Sequence, residues 1–522
     1  SVRLISVRSV VQIYLSLLYN MNINTLFFNE IQILPELFLG ISIVYLVLHS
    51  TFLSMHKNYM LIQNSVLYLS VLILFFSVYL VFNDNLNVLN VSILNGTIVN
   101  DYVSFSSKFI TGLLAMFYLL MIQPYLISQK FNHFEYLLLI LFSSLGLFLL
   151  CSANDLLTAY LAIELQSLSF YVLAAFQKKS TFSVDAGIKY FILGALSSSL
   201  FLFGSSFLYG YTGTINFDDF NYFFSILITN EVSEIHSPIS FGLSLIFISL
   251  FFKLAIAPFH VWAADVYENS PTISTFFFSI APKIAIFVLL FRIFYISFFN
   301  YYEQWNTFVA ILVVFSIIVG SFGGLEQRKL KSLLVYSSIS HMGYALLAFN
   351  SGNFESIQML FCYLIIYSFS GLCIWSIFLL TRLKNNHLQK QNKDLTDIVS
   401  LSKSNYMLAI FFITVLFSVA GFPPMIGFLV KISVFLTAIK SSMFIVALIS
   451  ILCSVIGTFY YLRLIKIVYF EKTLVGKLYY PIKLQSSIVV SMSFFLLLFL
   501  FVNPTILYLF SHKYCLLASV VV

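Results

Sequence analysis

Three lysines and one glutamate lie inside long apolar stretches of the sequence. Lys253 stands in "SLFFKLAIAPFHVW", Lys283 in "FFFSIAPKIAIFVLLF", Lys431 in "GFPPMIGFLVK" and Glu164 in "LLTAYLAIELQSLSF". A charged side chain at the centre of a bilayer costs about 2.5–3.5 kcal/mol on insertion scales, so it is retained where it faces water, a partner or an ion path. Amine and carboxyl groups can exchange a proton, whereas the guanidinium of arginine stays charged. The four residues therefore predict a buried series of proton-exchanging groups.

Each of these residues also has a structural interpretation. Lys253 and Lys431 could extend along the helix to the membrane surface. Lys283 could lie at a hydrated helix end, and Glu164 could neutralise Lys253 without moving a proton. Histidine side chains titrate near neutrality. His341, in "SSISHMGYALLAF", could therefore act either as a proton relay or as a hydrogen-bond donor in helix packing.

The elements that carry these residues are predicted to be membrane-spanning helices. The 522-residue chain is 60 % hydrophobic and 9 % charged, which leaves too little polar surface for a water-soluble globule. Repeated apolar runs of about 20 residues match helices rather than barrel strands. The predicted fold is therefore an all-α polytopic membrane protein with about 14 transmembrane helices. These lie near 32–49, 61–82, 107–128, 135–152, 156–177, 187–210, 239–260, 272–296, 305–323, 331–349, 356–382, 405–439, 442–470 and 486–510.

The loops on the two predicted sides of the membrane differ in charge. Lys and Arg residues concentrate in the odd-numbered loops, whereas the sixth loop is acidic, with Asp218 and Asp219. Basic loops favour the side of the membrane on which the protein is made. Both termini are therefore predicted on the opposite side.

Two spans are predicted to be broken by proline. Pro258 interrupts span seven, and Pro423 with Pro424 interrupts span twelve. Proline removes a backbone donor, and unwound backbone at membrane depth is tolerated only against protein or water. Because each break falls in the fourth member of five consecutive spans, the pattern predicts two inverted five-helix repeats. The predicted segments are 1–31 (an N-terminal extension), 32–130 (three helices), 131–300 (first repeat), 301–475 (second repeat) and 476–522 (the last helix and the C-terminus).

No pattern of a catalytic or cofactor site is present in the sequence. It contains no phosphate-binding loop, nucleophile elbow or dinucleotide fingerprint, and its five cysteines lack metal-type spacing. We expect the chain to bind neither a metal nor another cofactor and to have no active site of its own.

Two segments of the sequence resemble a known family. "FKLAIAPFHVWAADVYENSPTISTFFFSIAPKIAIF" and "GFPPMIGFLVK" look like the subunit 2 family of respiratory complex I (NADH:ubiquinone oxidoreductase), called subunit N in bacteria. The resemblance covers about residues 32–510, and "SIAPK" is the part that favours subunit 2 over the sister antiporter-like subunits.

The resemblance implies a function and a set of residue roles. It implies a proton-translocating, non-redox subunit in the membrane arm, with Glu164 and Lys253 as a pair, Lys283 as the connecting lysine and Lys431 leading to the exit side. His341 is added to this series on its own chemistry.

The resemblance also implies partners and a location. NADH, FMN, iron–sulfur clusters and ubiquinone would belong to other subunits. The neighbours would be other membrane-arm subunits, especially antiporter-like subunit 4 and the small subunits near the quinone site, together with phospholipids including cardiolipin; nucleic acid is not expected. The location would be the mitochondrial inner membrane, with both termini on the intermembrane-space side.

Two rival interpretations remain open. A stand-alone or multisubunit cation/proton antiporter would share the broken helices and the buried charges. A membrane scaffold would hold the same charges in inert, satisfied pairs, although buried ions are costly for a purely structural role.

Overall fold

The computed structural model describes residues 33–54, 59–84, 91–128, 133–227, 233–381, 394–399, 401–471 and 482–521. The predicted extension 1–31 lies outside these residues. Helices make up almost all of the described chain. In chain order they are α1 (Leu34–Ser54), α2 (Tyr59–Asp84), α3 (Tyr102–Ser128), α4 (Glu135–Ser152), α5 (Leu156–Ala174), α6 (Thr181–Thr212), α7 (Phe217–Leu227), α8 (Ser233–Leu254), α9 (Val261–Asn269), α10 (Thr272–Phe291), α11 (Tyr302–Leu325), α12 (Leu330–Asn350), α13 (Phe354–Leu380), α14 (Leu401–Ser404), α15 (Tyr406–Ala420), α16 (Ile426–Lys440), α17 (Phe444–Tyr469), α18 (Leu484–Val502) and α19 (Thr505–Val521).

Three short helical turns and two strands complete the described secondary structure. A π-helical turn, Arg292–Ser297, continues α10, and a 3-10 turn, Phe299–Tyr301, leads into α11. A second 3-10 turn is Leu395–Ile398. Between α2 and α3, strands β1 (Val91–Ile93) and β2 (Ile98–Asn100) pair antiparallel as a hairpin.

The predicted all-α polytopic membrane architecture is confirmed. Within the described residues, twelve helices are long and apolar enough to cross a membrane. They correspond to every predicted span except seven and twelve, where the structure has shorter helices on either side of a break. The total of fourteen crossings remains a prediction, since it depends on how these broken segments lie in the bilayer.

The last predicted span, 486–510, is wrong as a single helix. Helix α18 ends at Val502, and α19 begins at Thr505 after Pro504. Proline disfavours the α conformation in the residue before it, and Asn503 is non-helical, with φ −129° and ψ 77°.

The two predicted five-helix units have the same pattern of neighbours. In the first, α4 packs on α5, α5 on α6, α6 on α8, and α10 on both α4 and α5. In the second, α11 packs on α12, α12 on α13, α13 on α15 and α16, and α17 on both α11 and α12. This correspondence supports a repeat, while the inverted relation of the two units stays a prediction.

Helix α10 lies at the junction of the two units. Every residue from Thr272 to Phe291 is buried. The helix packs on α4, α5 and α8 of the first unit, on α13 of the second, and on α3. Lys283 therefore lies where side chains of both units can reach it.

Buried ion pairs join the N-terminal helices to this core. Lys108 of α3 pairs with Glu36 of α1, and Arg292 donates to Asp101 at 2.7 Å. All four side chains are buried. Removing one partner of such a pair leaves an uncompensated charge, so the pairs fix α1 and α3 against the end of α10.

Candidate functional site

The first helix break follows Lys253. Helix α8 ends at Leu254, α9 begins at Val261, and Pro258 lies between them without an amide donor. The indole of Trp262 donates to the backbone oxygen of Phe252 at 3.0 Å and stacks on the Phe252 ring. The Trp262 side chain thus packs over the break and donates a hydrogen bond to a carbonyl near the end of α8.

The second break contains two prolines. Helix α15 ends at Ala420 and α16 begins at Ile426, with Pro423 and Pro424 between. Gly421 has a φ of +88°, a left-handed conformation that glycine adopts without steric cost. The last carbonyls of α15 consequently have no helical donors.

Lys431 donates hydrogen bonds to these carbonyls. Its Nζ donates to Val419 O at 2.8 Å and to Ala420 O at 3.0 Å, and it lies 5.4 Å from the ring centroid of Tyr344. The C-terminal end of a helix carries partial negative charge, which stabilises a cation. With only 8 % of its surface exposed, Lys431 ends inside the helix bundle.

Lys253 and Glu164 are connected indirectly. Lys253 Nζ donates to the hydroxyl of Tyr171 at 3.3 Å. Ser167 donates to Glu164 Oε2 at 3.4 Å and also interacts with the Tyr171 hydroxyl. Within the described residues no ion pair within 4.0 Å joins Lys253 to Glu164, although the two groups interact electrostatically at longer range. The pair that the resemblance implied stays a prediction.

A small cavity adjoins these side chains. The space that the centre of a water molecule can occupy in it is about 20 Å³. Its wall includes Ser167, Lys253, Tyr267 and Pro282. A polar cavity of this size can hold about one water molecule. The cavity extends from Lys253 toward α10.

Lys283 follows Pro282 on α10. Its Nζ donates to the hydroxyl of Tyr367, on α13, at 2.8 Å. Only 4 % of its surface is exposed, which places the ammonium in the interior of the bundle rather than at a hydrated helix end.

His341 lies between the other groups of the second unit. Its Nδ1 is 2.5 Å from the Tyr363 hydroxyl, and its Nε2 is 3.2 Å from the Tyr461 hydroxyl. A second cavity of about 20 Å³ is lined by His341, Tyr367 and Lys431 together. This geometry fits packing and relay alike, because both ring nitrogens have hydrogen-bonding partners.

The tyrosines around these groups were missed by the sequence analysis. They are Tyr171, Tyr344, Tyr363, Tyr367 and Tyr461. One signal was present, since Tyr171 follows Glu164 by seven residues, or two helical turns, and so shares its helix face. With 32 tyrosines in the chain, spacing along one helix could not identify those contributed by other helices.

Asp155 is a titratable group at the edge of the first unit. It caps α5, and burial together with Asp219 and Asp218 raises its pKa to about 6. Because the unfolded carboxyl has a pKa of about 3.9, the native state binds the proton more tightly, and the free energy of unfolding falls as pH rises from about 4 through 6.

Asp155→Asn is therefore expected to flatten the pH dependence of stability between pH 4 and 7, since asparagine keeps the helix cap without ionising. Thermal unfolding of the detergent-solubilised protein across this range measures the slope. Asp185→Asn, at an exposed site, should leave the wild-type slope unchanged. A wild-type slope in Asp155→Asn would contradict the assignment.

Metal ligands are not clustered in the described part of the chain. No group of three or more His, Cys, Asp or Glu side chains there is placed to hold an ion. The expectation that cofactors belong to other subunits remains a prediction.

The fold and the site together define a class: a polytopic helical membrane protein with two interrupted helices and a series of buried lysines. The family described as "NADH:quinone oxidoreductase/Mrp antiporter, TM" matches residues 153–457. The chain belongs to this family.

Similar proteins agree with that assignment. The chain is 39 % identical over 424 residues to NADH-ubiquinone oxidoreductase chain 2 of Marchantia polymorpha, covering 81 % of this chain and 85 % of the relative. It is 38 % identical over 440 residues to NADH-quinone oxidoreductase subunit N of Pelagibacter ubique, covering 84 % and 89 %. The resemblance to the subunit 2 family is confirmed.

Solved structures share the fold. A chain of respiratory complex I from Thermus thermophilus matches with a TM-score of 0.74 and 26 % identity, covering 91 % of this chain and 98 % of that one. A chain of the Mrp complex from Dietzia sp. matches with a TM-score of 0.76 and 18 % identity, covering 93 % and 97 %. The second likeness concerns the fold alone.

Proposed function

We propose that this chain is a proton-translocating, non-redox core subunit in the membrane arm of a respiratory NADH:ubiquinone oxidoreductase. The observation that carries the proposal is the buried series Lys253, Lys283, His341 and Lys431, each held by hydroxyl or carbonyl oxygens and reaching from the first unit into the second. The similarity to chain 2 and subunit N proteins supports the assignment to this enzyme.

The series suits proton transfer because its cations lack a directly bound carboxylate. A lysine held only by neutral oxygens responds strongly to any charge that moves nearby. Two unit charges ~10 Å apart interact by about 1.7 kcal/mol at an effective dielectric constant of 20, which changes a proton affinity by roughly 20-fold. Glu164 would set the charge of Lys253 through the two hydroxyls between them, and a proton would then pass by way of Lys283 and His341 to Lys431.

The assembled enzyme would supply the redox chemistry. NADH, FMN, iron–sulfur clusters and ubiquinone would be bound by other subunits. Antiporter-like subunit 4, the small subunits near the quinone site and phospholipids including cardiolipin would surround this chain. The mitochondrial inner membrane is the proposed location, with both termini on the intermembrane-space side, in keeping with the charge difference between alternate loops.

A cation/proton antiporter is the second candidate. The shared fold with a chain of the Mrp complex favours it. An antiporter would depend on a coupling cation and would function without NADH dehydrogenase. Blue native electrophoresis with an NADH dehydrogenase activity stain separates the two, because the proposed subunit must migrate with that activity.

Lys283→Met tests the proposal in the assembled enzyme. Methionine preserves the volume but cannot carry a proton, so NADH-driven proton translocation into sealed vesicles is expected to fall by about tenfold or more. Lys329→Met, at a half-exposed lysine paired with Glu268, serves as the control and should retain translocation. Normal translocation in Lys283→Met would count against the proposed series.

A further inference from the structure

Pro282 opens the hydrogen-bond ladder of α10 beside Lys283. In an α-helix the amide of residue 282 would donate to the carbonyl of Phe278, but proline has no amide hydrogen. The hydroxyl of Tyr267, on α9, donates to Phe278 O at 3.3 Å instead. A side chain from the first unit thus occupies the carbonyl that Pro282 leaves free.

The next carbonyl of α10, that of Ser279, accepts a hydrogen bond from a side chain of the second unit. The hydroxyl of Tyr367 lies 3.3 Å from Ser279 O and 2.8 Å from Lys283 Nζ. An ammonium can only donate and a carbonyl can only accept. The Tyr367 hydroxyl therefore accepts from Lys283 and directs its own hydrogen to Ser279 O.

Each of these tyrosines is associated with one of the two lysines, Tyr267 through a shared cavity with Lys253 and Tyr367 through its hydrogen bond with Lys283. Tyr267 lines the small cavity that also contains Lys253 and Pro282. Tyr267 and Tyr367 are near enough to interact electrostatically. Their hydroxyls donate to consecutive carbonyls of α10, at Phe278 and Ser279, one from each unit.

We propose that Tyr267 and Tyr367, the tyrosine bridge, carry a proton between the Lys253 cavity and Lys283, and that the carbonyls beside Pro282 hold the bridge closed while Lys283 is charged. This inference rests on the proposed function and adds to it the residues that join the two units. In the closed arrangement both hydroxyl hydrogens point at carbonyls, so neither can be passed along the series.

Loss of the Lys283 proton opens the bridge. The neutral amine presents a lone pair, and the Tyr367 hydroxyl turns from Ser279 O to donate to it. As the O–H bond of Tyr367 breaks and an N–H bond forms at Lys283, the Tyr367 oxygen takes the proton released by Tyr267. Tyr267 in turn takes one from Lys253 across the cavity. Lys253 has then lost one proton, Lys283 has gained one, and both tyrosines are neutral again.

Tyrosine-to-phenylalanine variants in the assembled complex provide the test. Tyr267→Phe and Tyr367→Phe keep the rings and remove the hydroxyls, and each is expected to reduce NADH-driven proton translocation by about tenfold or more. Tyr336→Phe, at a half-buried tyrosine packed against Gly323, controls for loss of a hydroxyl and should retain wild-type translocation.

Restoring the amide that Pro282 lacks distinguishes a purely structural role of Tyr267 from a role in proton transfer. In Tyr267→Phe/Pro282→Ala, the amide of residue 282 can donate to Phe278 O again, so a role limited to that carbonyl predicts recovery. The tyrosine bridge predicts that the double variant translocates about tenfold less than Pro282→Ala alone, because only the double variant lacks the Tyr267 hydroxyl. Recovery in the double variant would overturn the bridge.

The remaining outcomes are also decisive. If Tyr267→Phe does not assemble, Tyr367→Phe decides, since Ser279 O keeps the helical amide of Lys283 as donor. Failure of Tyr367→Phe to assemble, or normal translocation in it, would overturn the bridge. Lys253→Met is measured in parallel: normal translocation there refutes the proposed function itself, whereas its loss together with normal tyrosine variants refutes only the bridge.

Discussion

Replacement of Lys431 by methionine is expected to lower NADH-driven proton translocation by about tenfold or more in a complex that still assembles. The substitution removes a buried charge but leaves the carbonyls of Val419 and Ala420 without their donor. These effects oppose each other, so the free energy of unfolding should change by no more than ~2 kcal/mol. Proton uptake by sealed vesicles and blue native electrophoresis measure the two parts.

Lys431→Arg separates charge from proton exchange. Arginine keeps a cation and donors for the two carbonyls, but it does not give up its proton. We expect this variant to assemble and to lose translocation as the methionine variant does. Wild-type translocation in Lys431→Arg would mean that a fixed positive charge is sufficient at this position.

Gly194→Ala is expected to disrupt the connection between Glu164 and Lys253 from a distance. A methyl group at Gly194, on α6, would lie 2.0 Å from the Tyr171 hydroxyl and 2.6 Å from its ring carbon Cζ, so the tyrosine must move. Overpacking of this kind costs about 1–3 kcal/mol. Displacement of the hydroxyl should also weaken its link to Lys253, with translocation reduced by about tenfold.

Gly210 provides the matched control on the same helix. A methyl group there would meet no atom within 4 Å, and alanine is the better helix former by about 1 kcal/mol. Gly210→Ala should therefore be at least as stable as the wild type, with unchanged translocation. Equal behaviour of the two alanine variants would show that the Tyr171 position is not critical. Thermal unfolding and vesicle assays on both variants make the comparison.

The positions of the charged groups and of the helix breaks could be predicted from the sequence because both are properties of a single segment. A lysine such as Lys283 inside an apolar run is expected to face water, a partner or the membrane surface rather than lipid, whatever the rest of the chain does. A proline such as Pro258 cannot donate to the helix that precedes it. Local chemistry alone decides both cases.

The partners of these groups could not be predicted, since each comes from a different helix. Tyr367 reaches Lys283 from 84 positions away, and Tyr461 reaches His341 from 120. No periodicity along the chain encodes such contacts. The same limit applies to Ser167 and Tyr171, whose hydroxyls lie between Glu164 and Lys253.

Helix boundaries were predicted less accurately where a single residue sets them. Helix α6 begins at Thr181, six residues before the predicted start at 187, because the Ser180 side chain accepts from the Ser183 amide. The helix ends at Thr212, and Gly213 after it has a φ of +73°. Such caps act through one hydrogen bond or one backbone angle and leave the hydrophobic pattern unchanged.

The number of protons moved per NADH oxidised, measured with the purified enzyme in sealed vesicles, tests the central claim most directly. We expect this ratio to fall below the wild-type value in both Lys253→Met and Lys431→Met, because each removes one group of the buried series. A wild-type ratio at a wild-type rate of NADH oxidation in both variants would contradict the account.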